Sequence, residues 1–154
     1  MNKKQIIISI SWLAVLLWMV LIFNLSSQPA NQSNKLSEGI TKAIVDTVER
    51  VAPSTDFDLS RLNHIVRKNA HFFAYLVLAL LVMNAVRRTG GNDIKLTLLI
   101  CVLYAISDEM HQIFIPGRSA QLSDVLIDSV GVVVGIVMYL GISGINIKKL
   151  LETK

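Results

Sequence analysis

An uncharged apolar run at positions 6–25 constrains this chain more than any other feature. Its length of about 20 residues is what an α-helix needs to cross a hydrocarbon core of ~30 Å. Lipid offers no hydrogen-bond partners to the peptide backbone, so a chain that enters the bilayer in this way crosses it as helices. Three further apolar segments lie at about 70–87, 94–113 and 122–145. The sequence therefore predicts an all-α bundle of four transmembrane helices, forming one domain over residues 1–154.

The composition agrees with a membrane protein. Only 17% of the residues are charged and the mean hydropathy is +0.55, whereas a soluble domain averages about 25% charged residues. The net charge is +4, but the basic residues are dispersed between apolar segments and form no face that would bind nucleic acid. The single cysteine, Cys101, lies inside an apolar run and excludes an intramolecular disulfide.

The first apolar run also has the position of a secretory leader. A leader has an apolar core of about 7–15 residues, followed by a small-residue cleavage site. Here the run is longer and ends in Ser26-Ser27-Gln28-Pro29. We therefore expect an uncleaved first transmembrane helix that ends before Pro29.

The long polar segment 30–58 has a helical pattern of its own. Apolar residues recur there at near-helical spacing, at Leu36, Ile40, Ile44, Val48 and Val51. Charged residues occupy the rest of the circumference. This pattern predicts an amphipathic helix in the first outer loop, lying either on the membrane surface or over the bundle as a cover.

Lysine and arginine flank the spans unevenly, and the side with more of them faces the cytoplasm. If the chain starts inside, the inner segments hold Lys3, Lys4, Arg87, Arg88, Lys95, Lys148, Lys149 and Lys154. The short loop after Arg88 is also denser in basic residues than segment 30–58. We therefore expect a multi-pass protein of a bacterial-type plasma membrane with both termini cytoplasmic.

This orientation brings most polar residues of the spans to one depth, at the outer surface. They are Arg67, Lys68, His71, Tyr75, Asp108, Glu109, His111, Gln112, Arg118, Asp124 and Asp128. Residues three or four apart share a helix face, so the second, third and fourth spans each carry a polar stripe. An ionisable group at the centre of a membrane helix costs about 2.5–3.5 kcal/mol. We predict that the three stripes line one outward-facing ligand-binding site.

The same residues also have a purely structural interpretation. Buried ions can pair with one another and fix the register of a helix bundle. In that case Asp124 would pair with Arg67 or Lys68, and Arg118 would pair with Asp108.

Three motifs in these segments resemble the VanZ-like family of integral membrane proteins. They are Arg67-Lys68-x-Ala-His71-Phe-x-x-Tyr75, Asp108-Glu109-x-His111-Gln112-x-Phe114-x-Pro116-Gly117-Arg118, and Ser123-Asp124-x-x-x-Asp128-x-x-Gly131-x-x-x-Gly135. The second motif is the most specific, and the Ser-Ser-Gln-Pro end of the first span fits the family pattern too. Ala74 and Asp128 depart from it, since many members have Glu and Asn there. The glycines of the third motif permit close helix packing.

The resemblance implies a four-span membrane protein whose founding member gives low-level resistance to teicoplanin, a lipoglycopeptide that acts outside the cell. It implies a phenotype and no particular reaction. We therefore expect a role in glycopeptide tolerance or cell-envelope maintenance. The expected partners are membrane lipids, lipid-linked envelope precursors or lipoglycopeptide antibiotics, and no cofactor is expected.

One mechanism that fits these residues is non-enzymatic binding of a lipid or envelope headgroup. Arg67, Lys68 and Arg118 would hold a phosphate or carboxylate, because a guanidinium group contacts such anions through two hydrogen bonds at once. Further hydrogen bonds would come from His71, Tyr75 and Gln112.

The alternative is a membrane hydrolase or transferase that acts on a lipid-linked substrate. His71 or His111 would be the general base, oriented by Asp108 or Asp124. The same four side chains are the ligands that a metal-dependent version would use, but no His-x-x-x-His pair supports a metal. A transporter is disfavoured because the inner halves of the spans lack polar residues.

Overall fold

The computed structural model describes residues 2–51, 59–91 and 93–144 of the chain. This part contains five α-helices and no strand, which confirms the all-α prediction. The helices are α1 Lys3–Ser26, α2 Ala30–Val51, α3 Leu59–Arg88, α4 Ile94–Gln112 and α5 Leu122–Ile142.

Three of the helices, α1, α3 and α5, are long and apolar enough to cross a membrane. α4 is not among them, because its 19 residues include Lys95, Asp108 and Glu109. The second predicted span, 70–87, is the apolar part of a longer helix: α3 starts at Leu59 and has 30 residues, about 45 Å of helix. Its polar first turns continue the helix beyond the apolar part. The last predicted span reaches residue 145, which lies outside the described residues.

α3 is the central helix and packs against each of the other four. Its inward face is completely buried along the apolar part, at Tyr75, Leu78, Ala79, Val82 and Met83. α1, by contrast, is apolar all round and buries only Ser11, Val15, Ile22 and Ser26. A helix that is apolar on its exposed faces is typical of contact with lipid.

Individual contacts fix the directions of α1 and α4 relative to α3. The indole N–H of Trp18 donates to the carbonyl of Ala74 at 2.9 Å, while Lys3 lies near Arg88 at the other end. Along α4, Thr97 donates to Met83 Sδ at 3.4 Å. Further on, the ring of Tyr104 lies 6.2 Å from that of Tyr75. Both α1 and α4 therefore run antiparallel to α3.

α5 runs parallel to α3 and touches its backbone. Lys68 at the start of α3 pairs with Asp124 at the start of α5. Gly131 then lies against the backbone of Phe72, and Gly135 against that of Leu76. The close packing predicted from the two glycines is confirmed, because neither position has room for a side chain.

The amphipathic helix predicted within segment 30–58 is present as α2, but Ile40 and Ile44 of its apolar stripe are not buried against the bundle. Among the α2 side chains that the structure describes, the buried ones are Ser37, Thr41 and Val45, which begin one residue after the stripe positions. Ile40 and Ile44 are 55% and 41% exposed. The small Ser37 and Thr41 side chains face the bundle and let α2 lie close to α3. Ile40 and Ile44 are left exposed as a result.

Candidate functional site

Four helix ends meet at one end of the bundle and carry most of the predicted site residues. α1 and α4 end there, and α3 and α5 begin there. The hydroxyl of Ser26 donates to Asp108 Oδ2 at 2.7 Å, which ties α1 to α4. The ammonium of Lys68 lies 3.3 Å from Asp124 Oδ1, which ties α3 to α5. The predicted convergence of polar residues therefore includes the end of the first helix as well.

Asp108 lies at the centre of this end and is only 3% exposed. Its Oδ2 accepts the Ser26 bond and a long one of 3.5 Å from the side chain of Gln112. Its Oδ1 has no hydrogen-bond partner among the described residues. The expected ion pair between Asp108 and Arg118 is not formed. The carboxylate is held by hydroxyl and amide groups instead.

His71 has a different acidic neighbour from the two that the spacing suggested. Its Nδ1 lies 3.8 Å from Asp128 Oδ1, and Asp128 is 2% exposed. Asp124 forms an ion pair with Lys68, one of the two partners that the structural interpretation proposed for it. Both members of that pair remain about a quarter exposed, so it contributes at most about 1 kcal/mol to stability.

The loop between α4 and α5 closes this end of the bundle. Glu109 is buried and accepts the backbone N–H of Gln121, which fixes the start of α5. Pro116 accepts the backbone N–H of Ala30 at 3.3 Å, which holds the loop against the start of α2. Gly117 has φ +76°, a left-handed conformation that suits glycine in this turn.

His111 lies apart from His71, against the end of α1. Its Nε2 is 3.1 Å from the hydroxyl of Ser27, and its ring is 4.5 Å from that of Phe23. Within the described ranges, no group of three or more His, Cys, Asp or Glu side chains is arranged to hold a metal ion. The metal-dependent alternative built on His71, His111, Asp108 and Asp124 is therefore not assembled.

Tyr75 lies deeper than the other predicted site residues. Its side chain is fully buried, and its hydroxyl has no hydrogen-bond partner in the described part of the chain. The acidic side chains with an electrostatic effect on this hydroxyl are those of Asp108 and Asp128. Tyr75 thus belongs to the floor beneath the polar end.

A cavity of about 400 Å³ opens at this end between α1, α2 and α3. Its apolar wall consists of Ile22, Leu25, Ile40, Val66, Ala70 and Ala74. Its polar wall consists of Ser26, Gln28, Ser33, Ser37, Arg67, His71 and Arg118. Of the predicted ligand-binding residues, Arg67, His71 and Arg118 line this cavity, and Lys68 and Asp124 lie beside it around a smaller one. The other predicted residues do not line this cavity, although Asp108 accepts a hydrogen bond from Ser26, which does.

Arg67 and Arg118 place two positive charges on the lining of this cavity. Neither forms an ion pair with a described residue, and Arg118 Nε is buried without a hydrogen-bond acceptor there. Burial and the nearby charge of Arg67 lower the pKa of Arg118, whereas the charges of Asp108, Glu109 and Asp124 act in the opposite direction. Because a guanidinium stays protonated near neutral pH, two cations face the same space.

Sequence reasoning missed the serines of this site. Ser26, Ser27, Ser33 and Ser37 all contact site residues or line the cavity. Ser26 and Ser27 lie at the end of an otherwise apolar span, and this position could have indicated a role at the polar end of the bundle. Ser33 and Ser37 lie on the polar side of an amphipathic helix, where nothing in the pattern separates them from solvated residues.

Three apolar helices, with a cavity of mixed polar and apolar lining at one end of the bundle, are those of an α-helical membrane protein of the multi-pass class. The model of the VanZ/LLP1 family matches residues 11–145, most of the chain, and the chain belongs to that family. The family resemblance of the motifs is thereby confirmed. Comparisons with curated proteins and with solved structures found no match.

Proposed function

We propose that this protein binds the anionic headgroup of an amphiphile in the cavity between α1, α2 and α3. The observation that carries the proposal is the pair of arginines, Arg67 and Arg118, which line one cavity and lack acidic partners among the described residues. A phosphate or carboxylate would complete their hydrogen bonding. The apolar residues that line the same cavity suit a hydrocarbon chain.

The acidic residues near the cavity form no ion pair with these arginines. Asp124 pairs with Lys68, and Asp108 accepts from Ser26. Glu109 accepts a backbone N–H. The two guanidinium groups therefore have no direct acidic partner among the described residues, which favours an anionic ligand over a neutral one.

The chain crosses the membrane four times in this proposal. α3 and α5 are apolar enough to span and run parallel to each other. The segment between them must return across the same thickness, and α4 is the one described helix that lies between them in the chain. Its 19 residues give about 28 Å of helix, close to a hydrocarbon core of ~30 Å.

The cavity faces the outside of a bacterial-type plasma membrane. Basic residues gather at the opposite end of the bundle, where Lys3, Lys4 and Arg88 lie together, and this arrangement favours a cytoplasmic location for that end. α2 then lies at the outer interface, with Ile44 turned towards lipid and the half-exposed Ile40 on the lining of the cavity.

The physiological role follows from this placement. A protein that holds an anionic lipid or a lipid-linked envelope precursor at the outer surface competes with a lipid-tailed glycopeptide for the same surface. This supports a part in teicoplanin tolerance or in envelope maintenance, the role that the family suggests.

Replacing Arg118 by alanine tests the proposal. The probe is phosphatidylethanol, an anionic phosphodiester lipid, titrated into the full chain in uncharged detergent and followed by native mass spectrometry. Losing the charge-assisted hydrogen bonds of Arg118 is expected to weaken binding about tenfold. Arg118→Lys keeps the charge but loses the two-pronged contact, so an intermediate loss is expected.

Arg88→Ala is the matched control, because Arg88 is exposed and hydrogen-bonded to Asn84 at the far end of the bundle. It should bind the lipid as the unchanged chain does. Teicoplanin susceptibility of cells producing each variant gives the physiological readout. If Arg118→Ala changes neither lipid affinity nor susceptibility, the proposal is wrong.

The enzymatic alternative is favoured by one observation of its own. His71 lines the cavity and Asp128 Oδ1 lies 3.8 Å from its Nδ1 without a hydrogen bond, so a small approach of the two side chains would let the carboxyl group orient a general base. Incubating the purified chain with envelope lipids tests this function. A product that disappears in His71→Gln would establish catalysis, and the absence of any product would eliminate it.

A further inference from the structure

A second cavity of about 480 Å³ lies beside the first, between α2 and the polar first turns of α3. Asn34, Glu38, Thr41 and Lys42 line it from α2, and Asn63 and His64 line it from α3. Arg67 lines both cavities and is therefore the point where they meet. A ligand whose anion lies at Arg67 has this second space directly beyond its charged group.

Thr41 differs in its hydrogen bonding from Ser37 and Thr47 on the same helix. Ser37 and Thr47, on the same helix, each donate to the carbonyl four residues earlier at 2.7 Å. Thr41 is only 2% exposed, yet its hydroxyl has no hydrogen-bond partner in the described part of the chain. The Oδ1 of Asn63 is buried and equally unpartnered there. Buried polar atoms are nearly always hydrogen-bonded, so two such atoms on one cavity wall indicate a polar occupant.

When Arg67 contacts the first anion, the other charges around this cavity do not favour a second one. Glu38 contributes an acid and Lys42 a base, and neither is paired with a described residue. Asn34, Thr41 and Asn63 supply amide and hydroxyl groups, which donate and accept hydrogen bonds, and Leu59 and His64 complete the described lining. A ligand hydroxyl also donates and accepts, so it matches this mixed wall better than a phosphate or an alkyl group.

We infer that the second cavity is a headgroup subsite for a hydroxyl-bearing group, a glycerol or a sugar, joined through a phosphodiester to the lipid whose anion contacts Arg67. This inference rests on the proposed function, because the phosphodiester is the anion in the first cavity. Thr41 and Asn63 then select among anionic lipids, and Arg118 holds all of them.

The test compares phosphodiester lipids of equal charge and identical chains, titrated into the full chain and followed by native mass spectrometry. Phosphatidylethanol has no headgroup hydroxyl, whereas phosphatidylglycerol and phosphatidylinositol carry a glycerol and a sugar-like ring. Forming one or two hydrogen bonds with Thr41 and Asn63 is expected to favour at least one hydroxylated lipid roughly fivefold. The preferred lipid identifies which of the two headgroups the subsite takes.

Thr41→Val removes the hydroxyl without changing the shape of the side chain. It should abolish the preference and leave the affinity for phosphatidylethanol unchanged. Thr47→Val is the matched control, because Thr47 lies on the same helix, is exposed and bonds its own backbone. Asn63→Leu gives an independent reading of the same subsite if Thr41→Val fails to fold.

Equal affinities for all three lipids would overturn the inference, as would a preference that survives both Thr41→Val and Asn63→Leu. Either result would leave the proposed function intact, provided that Arg118→Ala still weakens phosphatidylethanol binding. If phosphatidylethanol does not bind the unchanged chain, the proposed function itself fails.

Discussion

Asp108 shows how a single hydroxyl supports a buried charge at the scale of one residue. The carboxylate is 3% exposed, and its short hydrogen bond comes from Ser26 on another helix. The second donor, Gln112, is 3.5 Å away and contributes little at that distance. Most of the stabilisation of this group therefore depends on Ser26.

Ser26→Ala is expected to lower the free energy of unfolding by about 1–2 kcal/mol, because it leaves a buried carboxylate oxygen without its nearest donor. Thermal or denaturant unfolding in detergent measures the loss. Ser11→Ala is the control, since Ser11 lies on the same helix but donates only to the carbonyl of Ile7. Equal losses in the two variants would contradict the role given to Ser26.

The sequence predicted which residues gather at this end better than it predicted their partners. Residues such as Lys68 and His71 could be placed because helical spacing and the order of the spans set their depth. The partner of His71 depends on how α5 is rotated about its axis and shifted along it, and close packing at Gly131 sets both. Spacing on one helix contains no such information, so Asp108 and Asp124 were favoured over Asp128.

At the scale of elements, the contact between α3 and α5 brings two helix backbones together at Gly131 and Gly135. A Cβ at Gly135 would lie 2.5 Å from the carbonyl oxygen of Leu76, and one at Gly131 would meet that of Phe72. In both cases the obstacle is backbone. A larger residue at either position must therefore push the two helices apart.

Gly131→Ala and Gly135→Ala are each expected to destabilise the fold by about 1–3 kcal/mol, the range for overpacking a tight contact. Gly141→Ala is the matched control on the same helix, because a Cβ there meets nothing within 4 Å. Alanine is the better helix former, so this variant should be neutral or slightly more stable. Thermal unfolding of the three variants checks the order, and a loss at Gly141 as large as at Gly135 would contradict it.

For α2, the sequence pattern predicted the helix but not which of its faces contacts the bundle. Apolar spacing predicted the helix and its amphipathic character, and both are present. It also suggested that the apolar stripe faces the bundle if α2 is a cover, whereas Ser37 and Thr41 face α3. The expectation that an apolar stripe faces the protein holds only if the opposite face of the helix is in water. If lipid lies there instead, Ile40 and Ile44 face an apolar solvent and small polar residues are free to make the protein contact.

For the whole molecule, the number of crossings decides where the cavity lies. If α4 spans, the loop after Arg88 and the loop around Ser119 are on opposite sides of the membrane. If α4 does not span, the two loops share a side, and the parallel arrangement of α3 and α5 would require one of these apolar helices to be outside the bilayer. The directions of the helices therefore constrain the topology more strongly than charge composition alone.

Cysteine labelling in intact cells tests this topology. Cys101 is buried, and replacing it by alanine gives a background without thiols. Thr89→Cys and Ser119→Cys then place single thiols at exposed positions in the two loops. A membrane-impermeant maleimide is expected to label position 119 in intact cells and position 89 only after permeabilisation. Labelling of both positions in intact cells would exclude the fourth crossing, and labelling of position 89 alone would place the arginine-lined cavity on the cytoplasmic side.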